Sequence, residues 1–172
     1  SGVGKTTFLH LLSGLLKPMN GEIDLLGTNI SKLKMSEMDR FRGKNIGIVF
    51  QKPHFINSLT VKENLQLAQY ISKKNDKNRI QSLLESLGIE DKANKKTQNL
   101  SQGEKQRVSI ALAIVNSPKL ILADEPTSSL DDLNCDKVIN ILKNQASKYK
   151  AKLIIITHDH RFKKHFKNTL SL

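Results

Sequence analysis

Two short stretches, far apart in the chain, carry residue types that together can handle a phosphate chain. The first is SGVGKTT, residues 1–7. Gly2 and Gly4 let backbone amides close around an anion at the start of a helix, whose amino end favours negative charge. Lys5 supplies a point charge for β- and γ-phosphates, and Thr6 a hydroxyl for Mg²⁺. The second is LILADEP, residues 120–126, in which four apolar residues run into Asp124 and Glu125. Asp124 would hold a metal directly or through water, and Glu125 is placed to orient or deprotonate an attacking water. Two more apolar runs end in polar residues. Gln51 would sense the metal or the water, and His158 would contact the γ-phosphate. A surface glutamine, a packed or capping histidine and a turn-capping aspartate are the plain alternatives taken singly. Three strand ends carrying Gln51, Asp124–Glu125 and His158 are harder to explain that way, and the combination points to an ATPase or GTPase.

The elements around these residues must deliver them to one edge. A short apolar run bounded by turn residues reads as a buried parallel strand, and open α/β sheets bind ligands at the carboxyl ends of such strands. After the phosphate loop, Phe8, Leu9, Leu11, Leu12 and Leu15 form a helical stripe that stops between residues 14 and 18. Residues 21–26 read as a strand and 27–29 as a turn. Residues 30–42 are mildly helical, with Met35 and Met38 as packing residues. NIGIVF, residues 45–50, is a buried strand ending on Gln51. Residues 58–99 change character, showing no convincing strand. One helix is capped by Thr60, a basic polar loop covers 70–78, and a second helix with Ile80, Leu83, Leu84 and Leu87 ends at Gly88. Ser101 and Glu104 then have capping-box spacing ahead of Val108, Ile110, Ala111, Leu112 and Ile114. The exposed amides of that helix start can also meet an anion. A helix with Leu133, Val138, Ile139 and Leu142 follows the carboxylate strand. KLIIIT, residues 152–157, reads as another buried strand, and 161–172 as a short helix entering a strand.

Such alternation predicts an α/β fold with a mostly parallel sheet. Its core would be residues 1–57 and 100–172, with 58–99 as a helical subdomain. A phosphate loop should follow a buried strand, and none precedes Ser1, so an incomplete domain is expected.

With 172 residues, 38% hydrophobic and 26% charged, the chain can bury one sizeable core. No stretch approaches the roughly 20 apolar residues of a membrane helix. Cys135 is the single cysteine, which excludes an internal disulfide and reads as a buried thiol. The formal charge of +12 comes from lysines scattered along the chain, yet aromatics are 5% and tryptophan is absent. Without a basic–aromatic strip for base stacking, a solvated lysine-rich surface is expected, with anionic membrane next and no specific nucleic acid.

These stretches resemble the ATP-binding-cassette ATPases of ABC transporters. SGVGKTT is similar to a Walker A motif without its first residues, VFQ to the Q-loop and LSQGEKQRV, residues 100–108, to the family signature. LILADEP is similar to Walker B with its glutamate, SSLDD to the D-loop and ITHD to the switch-histidine motif. The resemblance implies a P-loop NTPase fold that uses ATP and Mg²⁺. ATP would be held by Ser1, Gly2, Val3, Gly4, Lys5, Thr6 and Thr7. Thr6, Gln51 and Asp124 would serve the metal, and Glu125, His158 and Gln51 catalysis. It further implies a head-to-tail dimer, a homodimer here, in which Ser101 and Gly103 reach the γ-phosphate held by the other subunit and Asp131 couples the two sites. The helical subdomain would meet an integral membrane permease, placing the protein peripherally on the cytoplasmic face of the inner membrane. The family's signature commonly has glycine at the position of Gln102 and glutamine at that of Glu104. The aromatic that usually stacks on adenine has no counterpart here. The wording of residues 42–65 and 111–132 is most similar to the lipoprotein-releasing, macrolide-exporter and cell-division group. A soluble ABC-type ATPase of DNA repair or translation, and a cell-division regulator with little transport, are the alternative functions.

Overall fold

The computed structural model describes residues 4–128, 130–166, 168 and 169. Ser1, Gly2, Val3, Ser129, Lys167 and 170–172 lie outside the described residues, as does the side chain of Leu133. Three parallel strands form its centre: β3 (Ile46–Val49), β4 (Leu120–Asp124) and β5 (Lys152–Ile156), in the order β3-β4-β5. In register, Val49 lies beside Ala123 and Asp124 beside Ile156, so the three carboxyl ends share one edge.

Every residue of β4 is buried, because the strand is paired on both sides and covered on both faces. Its alternation divides the core. Ile121 and Ala123 join the apolar cluster of α3 (Val61–Ile71), α4 (Lys77–Ser86), α5 (Gln102–Ile114) and α6 (Asp132–Lys148). Leu120 and Leu122 join Leu9 of α1 (Lys5–Leu12) and Met38 of α2 (Met35–Asn45) on the other face. The expected buried strand over 152–157 is corrected in part. Among the described residues β5 pairs only with β4, so Lys152 is exposed, Leu153, Ile154 and Ile155 are half-buried, and Ile156 alone is buried.

Three further expectations change between residues 21 and 51. The strand over 21–26 shrinks to a hairpin of β1 (Asp24–Leu25) with β2 (Thr28–Asn29). Leu26 and Gly27 both take positive φ, 55° and 77°, the geometry of a tight two-residue hairpin turn. The residues expected as a turn thus include a returning strand. Met38 is buried in the core, whereas Met35 is 79% exposed and does not pack there. Asn45 closes α2, its side-chain amide donating to the Phe41 carbonyl at 3.0 Å. β3 therefore starts at Ile46 and stops at Val49, leaving Gln51 two residues beyond its end.

The helical stretch has the anticipated parts with shifted limits. Thr60 and Glu63 form a capping box at the start of α3. Tyr70 and Ile71 are helical, which shortens the basic loop, and Asp76 caps α4. Gly88 has φ 62° just past the α4 cap residue, a backbone that favours glycine. These helices grip the carboxyl end of α5. Arg79 donates to the carbonyls of Val115 and Ile114, both at 2.6 Å, and Asn116 to the Ala68 carbonyl at 3.1 Å. After β5 a short 3₁₀ helix (His160–Lys164) appears, and no strand follows it among the described residues. No helix among them is long and apolar enough to cross a membrane.

Candidate functional site

Gly4 precedes α1 at φ 74°, a left-handed conformation that glycine adopts without strain. The first i→i−4 bond of α1 runs from Phe8 N to Gly4 O at 2.8 Å. The amides of Lys5, Thr6 and Thr7 come before it and lie at the positive end of the helix dipole. Their arrangement suits an anion. Ser1, Gly2 and Val3 of the expected loop lie outside the described residues.

The Thr6 hydroxyl donates to Asp124 Oδ2 at 3.3 Å. Asp124 is only 6% exposed, and its burial pushes the carboxyl above the ordinary aspartate value, while the Thr6 hydrogen bond pulls it back in part. A desolvated carboxylate beside a hydroxyl is a pair of hard oxygen donors, which suits Mg²⁺. A cation would also relieve the cost of keeping Asp124 charged.

Glu125 continues the sheet by donating its N–H to the Ile156 carbonyl at 2.8 Å, and then turns sharply. Its φ of 44° is left-handed, unusual for a residue with a side chain. Three donors from the β5 end hold its carboxylate. Oε1 accepts from His158 N at 3.0 Å and from His158 Nδ1 at 2.7 Å, while Oε2 accepts from the Thr157 hydroxyl at 2.9 Å. Nδ1 is thus the ring nitrogen that faces the carboxylate, which leaves Nε2 as the other polar atom of the ring. The His158 side chain is 76% exposed. Glu125 and His158 thus come together as one unit beside the Thr6–Asp124 pair. Gln51 reaches the same edge of the sheet but is exposed and hydrogen-bonds to none of these residues.

A second cluster forms elsewhere. Ser101, Gln102, Gly103 and Asp131 line an open cleft that none of Lys5, Thr6, Asp124 or Glu125 lines. The capping box at the head of α5 is complete. Ser101 N donates to Glu104 Oε2 at 2.7 Å, and Glu104 N donates to the Ser101 hydroxyl at 3.3 Å. Asp131 caps α6 by accepting from Asn134 N at 2.9 Å, and that backbone bond lowers its pKa. A Cβ at Gly103 would meet nothing within 4 Å, and its φ is outside the left-handed region. The fold itself therefore gives no reason for glycine there. Sequence reasoning missed Thr157, Asp159, Thr127 and Arg161. Thr157 and Asp159 flank His158, but no spacing rule marked them.

A family profile described as ABC transporter matches residues 1–128. The chain belongs to that family. It is 40% identical over 162 residues to the lipoprotein-releasing system ATP-binding protein LolD of Buchnera aphidicola, covering 92% of this chain and 71% of that protein. LolD of Bacteroides fragilis is 38% identical over 162 residues, covering 92% and 75%. Among solved structures, a bacterial ABC transporter cassette in dimeric form superposes with a TM-score of 0.83 at 34% identity, over 92% of this chain and 72% of that one. A dimeric post-hydrolysis cassette bound to ADP and Pi gives 0.82 at 33%, over 91% and 70%. The α/β P-loop fold expected from the motifs is the fold of this ABC-family chain.

Proposed function

We propose that this ABC-family chain is the ATP-binding and ATP-hydrolysing part of a transporter of the lipoprotein-releasing type. Its similarity to LolD proteins supports the transporter class. The observation that carries the chemistry is the union of Thr6, Asp124, Glu125 and His158, from three elements, at one sheet edge. Lys5 and the amides after Gly4 bind the phosphates, together with Ser1, Gly2, Val3 and Thr7. Thr6 and Asp124 would hold Mg²⁺, with Gln51, beyond the end of β3, serving the same metal. Bound there, the metal supplies charge neutralisation on the phosphates. Glu125 accepts a proton from the attacking water, and His158 presents Nε2 toward the γ-phosphate.

Ser101 and Gly103 sit in a cleft apart from that edge, so they serve the nucleotide of a second copy in a head-to-tail homodimer. The open cleft at the α5 start and the free approach at Gly103 support this arrangement. The dimeric states of the similar cassettes support it too. Asp131, in the same cleft, couples the two sites. Residues 58–99 act as the subdomain that meets a membrane permease on the cytoplasmic face. A groove bounded by Pro53, Phe55, Ile56, Leu67 and Ile71 offers it an apolar seat, with Ile56 46% and Ile71 72% exposed. Closure of the dimer around ATP and its reopening after hydrolysis would move that partner.

The test is Glu125→Gln in the whole protein. The amide keeps an acceptor for the His158 amide but loses the base, so ATP should still bind while turnover falls by about 10²–10⁴. Unchanged turnover would refute the role of Glu125. Isolation in mild detergent tests the transport reading: a stoichiometric membrane protein cross-linked through residues 59–87 supports it, and ribosomes or DNA in its place overturn it.

A further inference from the structure

Asp159 and Arg161 are the most densely bonded charged pair outside the proposed catalytic group, and nothing above uses them. Asp159 follows His158 directly, and its carboxylate is mostly buried, at 13% side-chain exposure. It accepts from Arg161 Nε at 2.9 Å on both oxygens, from Arg161 N at 2.9 Å and from the Thr127 hydroxyl at 3.0 Å. Its own N–H donates at 3.0 Å to the Thr157 hydroxyl that holds Glu125. The other end of the Arg161 guanidinium crosses to the loop after β4. Nη1 donates to the Leu130 carbonyl at 3.4 Å and to Asp132 Oδ1 at 2.6 Å. Leu130 and Asp132 flank Asp131, which lines the second cleft.

We infer that Arg161 is a positioning residue that ties the loop of Asp131 to the loop of His158, so that the cleft facing the second copy and the Glu125–His158 pair move together. A planar guanidinium suits this role, because its forked donors reach a carboxylate on one side and a carbonyl on the other. A lysine could keep the Asp159 contact as a single point charge but not bridge both loops. Arg161 need not touch nucleotide, since its effect passes through backbone positions on either side of the site.

The inference rests on the ATPase reading, and the experiment keeps the two apart. ATP turnover, ATP affinity and hydrogen exchange would be measured in the whole protein for wild type, Glu125→Gln and Arg161→Lys. Wild-type hydrolysis lost in Glu125→Gln secures the reading independently of Arg161. The inference then expects Arg161→Lys to lower kcat at least fivefold, with KM and ATP affinity within twofold of wild type. Exchange should quicken in residues 127–132 and 157–160 together, with α3 and α4 unchanged. Wild-type kcat in Arg161→Lys overturns the inference. So does a loss of kcat accompanied by loss of ATP affinity and general destabilisation, which marks a merely structural residue. Faster exchange in only one of the two loops overturns it as well.

Discussion

Gly103 stands at the second residue of α5, where an added Cβ would meet nothing within 4 Å and φ makes no demand for glycine. Alanine is the better helix former by up to about 1 kcal/mol, and about half of that is reasonable in a first turn. For 172 residues, an unfolding entropy of about 2.1 cal/mol/K per residue turns such a gain into a Tm rise of about 1–3 °C. The proposed dimer asks the opposite of this position. If the γ-phosphate of a second copy approaches the α5 amides, a methyl group there is an overpacked contact costing about 1–3 kcal/mol in the closed state. Closure, and turnover with it, should fall by about 5- to 150-fold. Calorimetry and steady-state ATPase on the same preparation read both numbers. A drop in Tm would show that the fold itself needs glycine, and unchanged turnover would show that nothing approaches Gly103. Either result refutes the reasoning.

Gly47→Ala should act in the other direction. Its Cβ would collide with the Ala113 carbonyl oxygen of α5 and sit 2.8 Å from the carbonyl carbon, both backbone atoms that cannot swing away. A loss of about 3 kcal/mol or more in denaturant unfolding is expected, and a loss under about 0.5 kcal/mol would contradict the packing. Asp124→Asn should raise the Tm of the metal-free protein at pH 7, because the buried charge is removed and Thr6 keeps an acceptor. The same variant should lose the further Tm gain that Mg²⁺ with ATP gives wild type, which thermal melts with and without chelator would show. Asp159 is held well below the ordinary aspartate value, chiefly by the Arg161 hydrogen bonds. Its contribution is therefore present above the unfolded pKa and lost as pH falls through the acid range below it. In melts from pH 6 down to pH 2, the advantage of wild type over Asp159→Asn should hold steady at first and then shrink once the pH passes below the ordinary aspartate value. An advantage that stays constant would count against the ion pair.

The meeting of Asp124, Glu125 and His158 at one sheet edge was legible in the sequence because these residues end apolar runs. β4 announces itself by four apolar residues running into Asp124, its last residue, with Glu125 immediately after, and the register of a parallel sheet then fixes where they lie. The caps were legible for a similar reason. Ser101 with Glu104 and Thr60 with Glu63 are local patterns whose partners lie three residues away. Local patterns failed where a partner decides the outcome. Lys152–Ile156 reads as apolar on both faces, yet its burial depends on how many neighbours the strand has. Met35 and Met38 are alike in type, and only the rotation of α2 against the sheet buries one and exposes the other. The Arg161 bridge could not be read at all, since its ends lie 29 or more residues apart along the chain and no spacing links them.

The grip of Arg79 and Asn116 on the far end of α5 has a mechanical consequence. Thirteen residues at 1.5 Å each make α5 a rod about 20 Å long, stiffened by its own backbone bonds. One end is fastened to the α3–α4 layer, and the other carries Ser101 and Gly103. A tilt of about 10° at the fastened end displaces the opposite tip by about 3.5 Å, more than the length of a hydrogen bond. In the proposed dimer, a push on the helical layer would be geared up in this way at the tip that carries Ser101 and Gly103.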